Sequence, residues 1–96
     1  MLPIAEFEKR FNIILALLDA IADELDDEDL EDLNAEFEDT LLMLSEIDPK
    51  AKDAREEIAD ALDELEALKD SYARWPEARE AADRLGMLIQ MARGNA

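Results

Sequence analysis

The chain contains no histidine, no cysteine and no valine. Without cysteine it can form neither disulfides nor thiolates. Without histidine it lacks the side chain that ordinarily titrates near neutral pH. Its only hydroxyl side chains are Thr40, Ser45, Ser71 and Tyr72, which are too few to build a familiar nucleophile and base pair. We therefore expect a protein that is not an enzyme and that holds no cofactor and no metal.

Residues that disfavour helices are scarce: there are two glycines and three prolines, with one threonine and two serines. Alanine, leucine, glutamate and aspartate dominate, and these are mostly residues that favour helices or suit helix ends. Because local propensity and apolar pattern agree so consistently, an engineered or de novo designed origin is one interpretation. A GC-rich source or a salt-loving source explains the same composition.

Basic residues are also few, with 10 against 27 acidic residues and a net charge of −17. This charge repels nucleic acid and anionic membranes, so a charged partner is expected to be basic. The longest apolar run, Ile13 to Leu18, is far too short to span a bilayer, and the first residues do not resemble a signal peptide. We expect a soluble chain, cytoplasmic if natural, whose 96 residues form a single helical-bundle domain spanning 1–96.

Apolar residues recur at helical spacing in four segments. In the first, a stripe runs from Phe7 through Phe11, Ile14 and Leu18 to Leu25. Changes in the phase of the stripe, together with cap and proline signals, predict the boundaries between segments. Asp26 or Asp27 can cap the second helix, and the predicted helices span about 3–25, 28–47, 49–74 and 76–93.

The third and fourth helices have their own start signals. Asp48 followed by Pro49 is typical of a helix N-terminus, and Pro76 is incompatible with a continuous helix. The third helix carries small alanines, including Ala51, in the first half of its stripe. Gly94 can adopt a left-handed cap at the end of the fourth helix, and Gly86 in its interior indicates close packing against a neighbour.

Short connections between amphipathic helices predict antiparallel neighbours. The sequence therefore predicts an all-α fold, a compact antiparallel four-helix bundle. A three-helix core with a short docked fourth helix is the alternative.

Some apolar residues do not fit the core stripe of their own helix. If they converge, they form a protein interface, since contiguous exposed apolar patches mark binding sites and methionine suits adaptable surfaces. If they do not, the core is wider and the first helix is central. The candidate interface residues are Ile13, Leu17, Leu42, Met87 and Met91.

Three further patterns have both a functional and a structural interpretation. The acid run from Asp26 to Asp32 contains calcium-type oxygen ligands but lacks the loop pattern of an EF-hand, which favours capping. Lys69, near Tyr72 on the edge of the third stripe, is either a desolvated nucleophile or, as we favour, a side chain that lies along the core rim and pairs with a carboxylate.

The segment Ile14 to Leu25, with anchors at Ile14, Leu18 and Ile21 followed by Ala22-Asp23, resembles the groove-binding helix of apoptosis regulators. The resemblance implies an exposed face that enters a partner's groove. The same stripe also contains Phe7 and Phe11, which favours a core face.

The function we expect is non-catalytic protein binding by an acidic helical bundle, such as an engineered scaffold or binder. Its partner is a protein with a basic surface or a second copy of the chain, as a homodimer, and neither nucleic acid nor a membrane. The alternative is a natural acidic inhibitor, immunity protein or nucleic-acid mimic that blocks a basic, nucleic-acid-binding partner.

Overall fold

A computed structural model describes residues 4–48 and 50–94 of the chain. These residues form helices α1 (Ile4–Leu25), α2 (Glu28–Glu46), α3 (Ala54–Tyr72) and α4 (Arg79–Gly94), with a 3-10 turn at Pro76–Ala78 before α4. The helices make a compact antiparallel four-helix bundle measuring 42 × 21 × 19 Å, so the predicted fold class is confirmed. Each helix packs against its neighbours in sequence, and α1 and α4 close the ring.

The four apolar stripes meet in one core because burying them removes the largest apolar area from water. Aromatic rings lie near its centre: Phe11 of α1 contacts Phe37 of α2 edge-on, with 6.5 Å between ring centroids. Phe37 in turn contacts Tyr72 of α3 at the same centroid separation. Leu18, Leu65 and the aromatic residues are almost completely buried, and each of the four helices contributes to the same cluster.

The α1–α2 junction depends on Asp27, one of the two predicted caps. Its Oδ1 accepts hydrogen bonds from the backbone N–H groups of Asp29 and Leu30, at 3.0 and 3.4 Å. Asp26 turns the chain with a φ of 51°, a left-handed conformation that aspartate tolerates better than most residues. The predicted left-handed cap at Gly94 is wrong, since no glycine in the described part of the chain has a positive φ.

The predicted start of the third helix at residue 49 is also wrong, because α3 begins at Ala54. The Asp48 carboxylate accepts a 2.9 Å hydrogen bond from the Lys50 N–H, which closes a local turn. Such side-chain bonds to nearby backbone compete with helix formation. Ala51, predicted to be buried, is exposed in this turn. Pro49, like Pro3, lies outside the described residues.

The predicted break at Pro76 is confirmed. α3 ends at Tyr72, two residues before the predicted end, and Trp75 is extended (φ −107°, ψ 117°), as a residue before proline prefers. Pro76 then begins the 3-10 turn. Proline suits this first position because an N–H group there would have no partner within the helix. The Trp75 indole N–H donates a 2.9 Å hydrogen bond to Oδ2 of Asp27, so this connection is fastened to the N-terminus of α2.

Gly86 of α4 provides the close approach that its sequence position indicated. A Cβ atom built there would lie 2.9 Å from Cδ of Lys69, because the lysine stem runs over the α4 backbone at this point. Lys69 is half-buried, and among the described residues no carboxylate pairs with its ammonium group. The expected path along the core rim is therefore observed, whereas the expected ion pair is not.

Candidate protein-binding surfaces

The five residues predicted as interface contacts are all exposed. Ile13 and Met87 are the most open, at 64% and 65%, and Leu42 follows at 54%. Leu17 and Met91 are also exposed. This excludes the wider core that was the alternative interpretation, and α1 packs against α2 and α4 as one member of the ring and not as a central helix.

The anchors that resemble a groove-binding helix are placed differently. The anchors Ile14 and Leu18 and the small residue Ala22 are buried in the core of the bundle. The anchor Ile21 is half-buried, and Leu25, at the end of α1, is 37% exposed. That face of α1 packs against α2 and α4, so the folded chain does not present it. The most accessible large apolar residues described on α1, Ile13 and Leu17, lie on its flank.

Contacts between neighbouring helices fix the hand of the bundle. On one edge of α4, Arg93 makes ion pairs with Asp63 and Glu66 of α3, at 2.6 and 2.7 Å. The Glu66 carboxylate, which accepts a hydrogen bond from this guanidinium, raises the pKa of Arg93. At about 100° per residue, Met91 falls on the opposite edge of α4, which faces α1.

The same register places four predicted contacts together. Ile13 and Leu17 project from the α4-facing edge of α1, and Met87 and Met91 lie on the side of α4 that adjoins it across the outer boundary between the helices. We call this set the α1–α4 patch, and its members are Ile13, Leu17, Met87 and Met91.

Leu42 does not belong to that patch. It projects from the α1-facing edge of α2, so the outward face of α1 separates it from Ile13 and Leu17. Helix geometry thus places four of the five predicted contacts on adjoining edges of α1 and α4 and leaves Leu42 outside that patch. Single exposed apolar residues of this kind are normal on protein surfaces.

Charge is distributed unevenly around the bundle. α2 carries eight acidic residues and no basic residue. α3 carries seven acidic and two basic residues. In contrast, α4 carries two acidic and three basic residues, and α1 carries five acidic and two basic residues. The α1–α4 patch therefore lies on the least acidic side of the molecule, and the α2–α3 side holds most of the negative charge.

A second surface, which the sequence did not predict, lies along the outer boundary between α2 and α3. Two cavities of about 400 Å³ and about 320 Å³ lie end to end there and share Met43. Met43 is 48% exposed. We call the two cavities together the α2–α3 groove. The sequence signal was Met43 itself, which falls outside the α2 stripe beside Leu42 and opposite the edge that faces α1.

A buried polar pair joins α2 to α3 inside the core. The Tyr72 hydroxyl donates a 2.7 Å hydrogen bond to Oδ1 of Asn34, while the Nδ2 atom of Asn34 has no hydrogen-bond partner among the described residues. Burial raises the pKa of Tyr72 well above its ordinary value, and the carboxylates of Asp19 and Glu36 raise it further. At neutral pH this tyrosine is therefore a neutral hydrogen-bond donor and a structural residue.

In residues 4–48 and 50–94, no group of three carboxylates converges in a way that could hold a metal ion. In the acid run, Asp27 serves as the cap of α2. Within the same described ranges, no helix combines the length and the apolarity needed to cross a membrane.

Comparisons with known proteins return no relative. No protein-family model matches the chain, and neither the curated proteins nor the solved structures contain a significant match. Fold and surface chemistry are therefore the basis for a functional proposal.

Proposed function

We propose that this chain is a non-catalytic binding protein that contacts another protein molecule through the α1–α4 patch. The observation that carries the proposal is the position of Ile13, Leu17, Met87 and Met91 on adjoining edges of two packed helices. Contiguous exposed apolar side chains cost solvation free energy, and a partner that covers them recovers it.

The partner that best fits this patch is a second copy of the chain. A basic protein would be drawn to the α2–α3 side, where the negative charge is concentrated. Two copies that meet through their α1–α4 patches bring their least acidic faces together and keep both α2 helices on the outside. A twofold arrangement of this kind places each patch on its own equivalent.

The test is mass in solution, measured by light scattering at low and high salt over a range of protein concentrations. We expect the wild-type chain to form a dimer more readily at high salt, because ions screen the repulsion between two copies of charge −17. Leu17→Glu should remain monomeric under all conditions, since it places a charge in the patch. Leu42→Glu is the matched control, because it adds the same charge outside the patch, and it should dimerise like wild type.

A wild-type chain that stays monomeric at both salt concentrations would exclude the second copy as partner. If Leu17→Glu and Leu42→Glu weakened dimer formation equally, the patch would be excluded as the contact. The added negative charge alone would then explain the effect. Circular dichroism of each variant checks that the bundle remains folded.

A second function, favoured by the charge of α2, is that of an acidic inhibitor or nucleic-acid mimic. Eight carboxylates on one rigid helix can occupy the phosphate-binding surface of a basic protein. Binding of that kind weakens steeply as salt rises, whereas an apolar contact tolerates salt. The salt dependence of binding to a DNA-binding protein, compared with that of dimer formation, separates the two functions.

The helix-favouring composition supports a proposal about origin, namely that the chain is an engineered scaffold or binder. A scaffold made only to fold should be a monomer without a partner and very resistant to heat. Thermal unfolding followed by circular dichroism, together with the mass measurement above, tests this.

A further inference from the structure

The α2–α3 groove has an apolar floor. Met43 lies at the junction of its two cavities, with Ala67 and Leu68 lining the larger cavity and Ile47 lining the smaller one. From the level of Glu36 to that of Ile47, α2 rises about 16 Å, which corresponds to three turns of a helix laid alongside it. The groove is therefore long enough to hold a short helix.

Both walls of the groove are acidic. Three carboxylates come from α2 and three from α3. The ion pairs in the described part of the chain involve Asp63, Glu66 and Glu80, so none of the six groove carboxylates has a cationic partner there. The two basic residues of α3, Arg55 and Lys69, project toward α4, away from the groove. The wall residues are Glu36, Asp39, Glu46, Glu57, Asp60 and Glu64.

One wall carboxylate lies beside a hydroxyl group of the floor. The Thr40 hydroxyl lies 3.3 Å from Oε2 of Glu64, within hydrogen-bond distance, and 2.9 Å from the backbone carbonyl of Glu36. Thr40 itself is buried, so this contact links α2 to α3 beneath the groove. Thr40 thus places a polar group of the floor beside the Glu64 carboxylate of the wall.

We infer that the α2–α3 groove binds a basic amphipathic helix of another protein. The apolar stripe of that helix lies on Met43 and its neighbours, and lysines or arginines on both flanks of the stripe pair with the two acidic walls. Methionine adapts its shape to an incoming apolar side chain, and helix-in-groove recognition uses anchors at helical spacing. The charge of the walls raises the rate of association with a basic helix.

None of the helices in residues 4–48 and 50–94 is available as such a helix. The most basic of them, α4, has its apolar stripe buried in the core, at Ala81, Leu85, Leu88 and Ile89 among others. A second copy therefore cannot be the occupant of the groove without unfolding. This site is separate from the α1–α4 patch and does not depend on dimer formation.

The probe is a fluorescently labelled synthetic peptide of about fourteen residues, made of leucine and lysine with the leucines on one helical face. Its control has the same composition in an order that destroys the leucine face. Fluorescence anisotropy measures the affinity of each peptide for the full chain at low and high salt. We expect the peptide with the leucine face to bind more tightly than its control, and the difference to persist at high salt.

Two matched variants locate the site. Met43→Gln keeps the size and charge of the side chain but removes its apolar character, and it should weaken binding of the leucine-faced peptide roughly tenfold. Met87→Gln makes the same change in the α1–α4 patch and should leave the affinity unchanged. Asp39→Asn with Asp60→Asn should weaken both peptides and reduce the salt dependence, because one charge is lost from each wall.

Equal affinity for the two peptides would overturn the inference, since it would show attraction by net charge alone. The same conclusion would follow if Met43→Gln and Met87→Gln had equal effects. Leu17→Glu distinguishes this site from the proposed dimer contact: it should abolish dimer formation and still bind the peptide as wild type does.

Discussion

The Tyr72 hydroxyl donates a hydrogen bond of 2.7 Å to Oδ1 of Asn34, and so joins α3 to α2 inside the core. Both residues are buried, and the same asparagine leaves its Nδ2 atom without a hydrogen-bond partner in the described structure. A buried polar pair is stable only when its members meet, because each alone retains the cost of leaving water. The pair therefore disfavours any alternative register between α2 and α3.

Removing the Tyr72 hydroxyl should leave the buried Asn34 amide without compensation for its loss of contact with water. We expect Tyr72→Phe to lower the free energy of unfolding by about 1–3 kcal/mol, because Asn34 then has no partner for either end of its amide. The double variant Tyr72→Phe with Asn34→Leu should be more stable than Tyr72→Phe alone, since no buried polar group remains. Urea unfolding followed by circular dichroism measures both, and a double variant no more stable than the single one would contradict this account.

Asp27 should make stability depend on pH in the acid range. The hydrogen bond from the Trp75 indole, with those from two backbone N–H groups, holds the pKa of Asp27 below its ordinary value of 3.8. A carboxyl group whose pKa is lowered on folding contributes stability above its unfolded pKa and loses it as pH falls through the folded pKa. Asp27→Asn, which keeps one acceptor oxygen of two, should therefore lower the melting temperature at neutral pH, and its effect should shrink as pH falls below 3.8 and through the lowered pKa of the folded state.

The control for this prediction is Asp32→Asn, an exposed carboxylate on the same helix. It changes the net charge equally but removes no bond to Trp75. Acid relieves the mutual repulsion of the many carboxylates in wild type and in both variants, so the informative quantity is the difference between the two melting curves at each pH. Identical curves for the two variants would argue against a special role for Asp27.

Gly86→Ala should stabilise the bundle. Alanine is favoured over glycine by about 1 kcal/mol in a helix interior, and the atom nearest the new methyl group is Cδ of Lys69, 2.9 Å away, in a flexible side chain that can move. We expect a higher midpoint of urea unfolding than in wild type. In a Lys69→Ala background the gain from Gly86→Ala should be at least as large, and a loss of stability only when Lys69 is present would mean that the lysine stem cannot shift.

Adjacent leucines on α1 provide a test of the orientation of that helix. Leu18 is completely buried and Leu17 is exposed. Leu18→Ala should therefore lower the free energy of unfolding by about 2–5 kcal/mol, through lost burial and the cavity left behind. Leu17→Ala should change it by no more than about 0.5 kcal/mol. Thermal unfolding of the two variants at a concentration where the chain is monomeric makes the comparison direct.

Much of the fold could be predicted because helical periodicity and the residues that begin or end helices depend only on nearby parts of the sequence. Asp27 and Pro76 marked two of the helix boundaries, and each acts through the backbone of its near neighbours. The start of α3 was missed since Asp48 can cap either a helix or a turn, and the two uses involve the same side-chain oxygen and nearby N–H groups.

The candidate surfaces were predicted less completely. Periodicity identified Ile13 and Met87 as residues outside the core stripes, but it placed Leu42 with them, because a one-dimensional pattern does not reveal which edges of which helices adjoin. The α2–α3 groove was not predicted, as its floor and its two walls come from separate helices. Met43 was the one residue whose position in the sequence could have indicated it.

By itself the sequence determined that this chain forms amphipathic helices, where most of them end, and that its surface is strongly acidic. These properties follow from residue type, from spacing along the chain and from local hydrogen bonding. Only the tertiary structure decided that the apolar flank of α1 meets that of α4, and that the acids of α2 and α3 border a common apolar groove. Both depend on the hand and register of packed helices, which are set by contacts such as Tyr72 with Asn34 and Arg93 with Asp63, between residues far apart in the sequence.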